Sequence, residues 1–140
     1  MRAPHLLRVE ESPEKFAPLI AAARALGLRV GWLELAGKAH PVPPFLEVAA
    51  GLGVMRAVEV GDGRTVAVKP MRGAAVLEDL LREHFRGCAL VLVRGEVDAP
   101  SLAAEGEGWR FTLPGVAPRL LTTDQLASFL RKAHPWKQRS

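Results

Sequence analysis

A chain of 140 residues, 49% hydrophobic and 24% charged, is long enough for one buried core and too apolar to stay disordered. Its longest unbroken apolar run, Cys88 to Val93, is six residues, far short of a bilayer span, and residues 1–8 lack the apolar stretch and cleavage site of a secretory leader, so a cytoplasmic protein is expected, with no membrane contact. The formal charge of +4 is unevenly placed: Arg131, Lys132, Lys137 and Arg139 account for all of it, leaving 15 basic and 15 acidic side chains in the rest of the chain.

Residues 5–10 read as a first strand. Ser12-Pro13-Glu14 then supplies an N-cap, a proline at the first helical position and an acid in the first turn. The spacing of Phe16, Leu19, Ile20, Ala23 and Leu26 predicts a helix over 13–26, closed by Gly27. Residues 28–35 are apolar on both faces and are expected as a central strand. Three prolines stiffen the loop 36–44, and a short helix follows over 44–52. Strands over 55–60 and 64–69 flank Gly61-Asp62-Gly63 as a hairpin, with Val58, Val60, Val66 and Val68 expected on one face.

A helix is predicted over 73–86. Val76, Leu77, Leu80, Leu81 and Phe85 form its apolar stripe, and Glu78 and Arg82 pair across one turn of its wet side. Gly87 ends it before a buried strand, 88–93, in which the single cysteine, Cys88, reads as a core thiol. Beyond residue 96 a second hairpin, 102–105 and 109–113, turns at Gly106-Glu107-Gly108 and points Trp109, Phe111 and Leu113 one way. Thr122 and Gln125 make a capping box for a last helix with Leu126, Phe129, Leu130 and Ala133 on its apolar face, stopped by Pro135.

Strand, helix, glycine and strand thus occur twice, at an offset of roughly 60 residues. This predicts an α+β fold: a ferredoxin-like βαββαβ-type sandwich, a pseudo-repeat of two βαβ units with an inserted short helix and hairpin and a C-terminal ββα appendage. A mostly parallel doubly wound sheet is the alternative, and the antiparallel hairpin favours the former. Residues 1–130 are expected as a single domain, with a core over 1–96, the appendage over 97–130 and a basic tail over 131–140. The absence of Asn and Tyr, a single Ile and 11 prolines fit a thermophile, or a GC-rich genome.

No complete catalytic signature is legible. Lys69-Pro70-Met71-Arg72-Gly73 lies between a strand and the predicted helix start, where backbone N–H groups and two cations would hold an anion, but it lacks the glycine spacing of a P-loop. Lys38 and His40, in the proline-stiffened loop, join Lys69 and Arg72 as anion-binding candidates. His5, His40, His84 and His134 have no spacing that makes a metal site, and no metal or cofactor is expected. The tail offers Arg131, Lys132, Trp136, Lys137 and Arg139 for nucleic acid, cations on the phosphates and the indole on a base.

A non-enzymatic binding or regulatory domain is therefore expected, contacting a polyanion such as nucleic acid through the tail or an open sheet face. The alternatives are a homodimeric interaction module and an enzyme for a small anionic ligand at Lys38, His40, Lys69 and Arg72.

Overall fold

Alternation sets the first strand, β1 (His5–Val9): His5, Leu7 and Val9 are buried while Leu6 and Arg8 are half-buried. The computed structural model of the protein describes residues 3–35, 41–71 and 73–132. The chain divides into two compact units, one of Met1–Ala36 with Glu78–Ser140 and one of Gly37–Leu77.

In the larger unit β1 pairs in parallel with β5 (Leu90–Arg94), which pairs in parallel with β2 (Val30–Glu34). On its other side β1 meets β6 (Ser101–Glu105) in parallel through Arg8 and Ser101. From β6 the sheet continues antiparallel to β7 (Gly108–Thr112) and β8 (Arg119–Leu121), giving the order β2-β5-β1-β6-β7-β8. The continuous apolar run of β5 is explained by this order. Leu90, Val91, Leu92 and Val93 have no exposed surface, as expected for a strand with neighbours on both sides and cover on both faces.

One face carries the main core. A 3-10 turn, Pro13–Phe16, leads into α1 (Ala17–Ala25), and α4 (Thr123–Phe129) packs beside α1. Phe16 is the keystone of this layer, stacked on Trp109 with ring centroids 5.6 Å apart and tilted against Trp32 at 5.9 Å. Leu19, Ala23, Leu126 and Leu130 close over Leu7, Leu92, Leu102 and Phe111. The Trp109 indole N–H donates to Thr123 Oγ1 at 2.9 Å, which removes the cost of burying it. The capping box is present as expected: Gln125 N donates to Thr122 Oγ1 at 3.1 Å and Thr122 N to Gln125 Oε1 at 2.9 Å.

On the opposite face the ring of Phe85, just past α3 (Leu77–His84), fills the space that a Cβ on Gly31 would need. The helix expected over 73–86 is therefore shorter at both ends, and Val76 lies outside it and exposed, while Leu77, Leu80, Leu81 and Phe85 are half-buried. Arg82 pairs with Asp79 at 3.0 Å, not with Glu78.

The mixed α+β class is as expected, but the strand order does not confirm a ferredoxin-like arrangement. β4 (Arg64–Val68) pairs with β3 (Ala57–Gly61) in a separate two-stranded sheet, so of the second strand–helix–strand repeat only the closing strand, β5, enters the main sheet. β2 is an edge strand rather than a central one. Its apolar character on both faces comes from Val30 and Trp32 against the core and Phe85 over Gly31, and not from strands on both sides.

In the smaller unit α2 (Pro44–Gly51) packs on the β3–β4 hairpin, with Leu46 and Ala57 as its buried hydrophobic residues among those described. The hairpin turns on two residues, Asp62 and Gly63, the latter at φ +79°. That register sets Val58 opposite Ala67 and Val60 opposite Thr65, whereas Val66 faces Glu59 and Val68 faces Ala57. The four valines are thus split between two faces. A turn one residue shorter than expected moves a whole strand's side chains to the other side. No described helix is long and apolar enough to cross a membrane.

Candidate functional site

Parallel strands give the sheet two chemically distinct ends. Open α/β sheets hold ligands outside the carboxyl ends of their strands, and here that end is acidic. Glu10 and Glu11 follow β1, Glu34 ends β2, and Glu96 and Asp98 follow β5. Two cations there are tied down, Arg8 to Glu96 and Arg94 to Glu34, each at 3.2 Å. The β1–α1 connection reads Glu10-Glu11-Ser12-Pro13-Glu14, with no glycine to let a phosphate approach the backbone. Glu11 Oε1 accepts from Ala104 N at 2.9 Å and so ties this connection to β6. The Glu14 carboxyl is held below its usual range by the Ser12 hydroxyl and its own backbone N–H. Carboxylates in these positions repel phosphate.

The amino end is the reverse. Arg24 lies in the last turn of α1, Arg29 just ahead of β2, Arg82 and Arg86 ahead of β5, and Arg131 and Lys132 just past α4; all are exposed. The backbone shows that these positions share one end. Arg29 O accepts from Ala89 N at 2.8 Å, Ala89 O accepts from His5 N at 2.8 Å, and His5 Nε2 donates to Lys132 O at 2.8 Å. Arg29 Nη1 lies 3.8 Å from where a Cβ on Gly87 would stand. Acids are present too: Asp79 takes Arg82, and Asp124 lines the same groove between α1 and α4 as Arg131. Cations at helix ends also complement the terminal carbonyls. The Cys88 thiol at this end is pushed up by burial, against the pull of the Arg29 charge.

Of the residues singled out in the sequence, Arg131 and Lys132 belong to this basic end. Lys132 is docked as well as charged, its carbonyl on the buried His5 and its Nζ 5.1 Å from the centre of the Phe129 ring. Trp136, Lys137, Arg139, Lys38, His40 and Arg72 lie outside the described residues. Lys69 is exposed just after β4. The helix it was expected to precede closely begins at Leu77, eight positions on, so the premise of an anion site at a helix start by Gly73 is corrected. Arg24, Arg29, Arg82 and Arg86 were not singled out. Their signal was positional: in a parallel α/β unit the helix ends and strand starts share one end of the sheet, and these arginines recur at those points.

An open groove of about 470 Å³ lies at this basic end. Leu81, Phe85 and Pro4 give it apolar walls, and Arg82 on α3 and Arg86 just past it line it together with Glu78. Among the described residues no group of three or more His, Cys, Asp or Glu side chains could hold a metal ion.

The fold and its charge distribution define a mixed α+β protein whose main sheet is acidic at the carboxyl end of its parallel strands and basic at their amino end. No protein-family model matches the chain. It is similar to a polynucleotide 5'-hydroxyl-kinase, grc3, of Aspergillus oryzae, at 29% identity over 103 residues; the match takes in 67% of this chain and spans 12% of that protein's length.

Proposed function

We propose that the protein is a nucleic-acid-binding module that engages the phosphate backbone with the basic end of its sheet and the residues that follow α4. The observation that carries this reading is the gathering of Arg24, Arg29, Arg82, Arg86, Arg131 and Lys132 at the amino end of the parallel strands. The formally balanced body hides a separation of charge along the strand axis, and a polyanion is attracted to one end and repelled from the other. Lys137 and Arg139 extend the same charge in sequence, with Trp136 available for stacking. The similarity to a protein described as a polynucleotide kinase supports the same class of partner. Catalysis is not part of the proposal, since the β1–α1 connection carries carboxylates where a phosphate would have to sit.

Fluorescence anisotropy of a labelled oligonucleotide across a salt series tests it. Affinity should fall with salt, and the paired substitution Arg29→Ala with Arg86→Ala should flatten the slope by about 2, one for each lost phosphate contact. Truncation after Lys132 should weaken binding further. Absence of binding at low salt overturns the reading.

A second reading, self-association through the smaller unit, is favoured by one observation: Phe45, Leu52, Met55 and Val60 are 89%, 81%, 81% and 78% exposed. Sedimentation equilibrium separates the two. A dimer that Phe45→Ser with Leu52→Ser converts to monomer supports self-association, and a monomer at all concentrations removes it.

A further inference from the structure

Resting on the nucleic-acid reading, we infer that the groove formed by Pro4, Leu81, Phe85, Arg82, Arg86 and Glu78 receives one unpaired base with its neighbouring phosphate, so that the protein prefers single strands to duplex.

The size of the groove, about 470 Å³, is within the range of small-ligand sites, which accept a few polar groups among apolar walls. Its walls match the two halves of a nucleotide. Leu81 and Phe85 are half-buried, so each keeps apolar surface turned outward for the face of a base. Beside them Arg86 has no carboxylate partner among the described residues, whereas Arg82 is engaged by Asp79 at 3.0 Å. Arg86 is therefore the cation free to take a phosphate, and its planar fork suits one. Glu78 is an acceptor on the same wall, suited to the exocyclic amino group of adenine or cytosine. A stacked base inside a duplex presents neither face to such a groove, whereas an unpaired base presents both.

The test uses the full chain and four probes at fixed, low salt: a labelled adenine-rich 12-mer, its duplex, free adenosine monophosphate and inorganic phosphate. The single strand should bind about tenfold more tightly than the duplex, the increment expected of one stacked base. Ala3→Ile fills the mouth of the groove from an exposed position without changing charge. It should abolish that preference while leaving duplex affinity and the melting temperature unchanged. Arg86→Gln should weaken the single strand more than the duplex. Equal affinity for strand and duplex, or a strand preference untouched by Ala3→Ile, overturns the groove assignment and leaves the basic end standing. Binding of the mononucleotide or phosphate without the strand overturns it as well. Failure of both strand and duplex to bind overturns the parent reading.

Discussion

Gly31 shows how one missing methyl group shapes this protein. The Phe85 ring lies where a Cβ would be, so Gly31→Ala forces either the ring or β2 to shift. It should destabilise the fold by about 1–3 kcal/mol, the usual cost of overpacking, measured by urea denaturation. Phe85→Leu in the same chain should recover part of the loss, because the two sites share a contact. Cys88 answers to its surroundings in a different way. Burial raises its thiol above the ordinary value, so the folded state holds the proton at a pH where the unfolded chain releases it. Stability should therefore fall as pH rises beyond the unfolded thiol value, and Cys88→Ser should remove that part of the decline. Alkylation at pH 8 should be slower in the folded protein than in urea, and equal rates would contradict the burial. The core-thiol expectation is met only partly, since Cys88 is half-buried.

At the level of elements, local signals were reliable where the chain's own backbone consumes them. The Thr122–Gln125 box forms both of its hydrogen bonds, and Thr122→Ala should cost about 1 kcal/mol, visible as a lowered unfolding midpoint. Trp109 and Phe111 share a buried face because strand alternation needs no partner to be read. Ser12 was legible as a helix start, yet its side chain makes no hydrogen bond to a helical backbone N–H, and the first turn is 3-10. The β3–β4 hairpin was found, but the faces of its valines were not, because a single residue in the turn decides the register. The start of α3 differs for a related reason: Val76 continues the apolar spacing of Leu80, and nothing local says that it stays outside the helix.

Across the whole molecule, two features govern behaviour: a charge-polarised sheet and an apolar surface on the smaller unit. The exposure of Phe45 and Leu52 implies that Phe45→Ser and Leu52→Ser each change the stability of the isolated chain by no more than about 0.5 kcal/mol, checked by urea titration at dilution. A loss of several times that size would mean those side chains are buried in solution. Composition, the number and kinds of most elements, the caps and both hairpins followed from the sequence alone, since each depends on a residue and neighbours a few positions away. Strand order, the edge position of β2, the division of the second repeat between two sheets and the gathering of Arg29, Arg86 and Lys132 at one end were decided only in three dimensions. Most of these join residues far apart in the chain, as His5 and Lys132, 127 positions apart, show, and such pairings are chosen by competition among buried surfaces that no local pattern records.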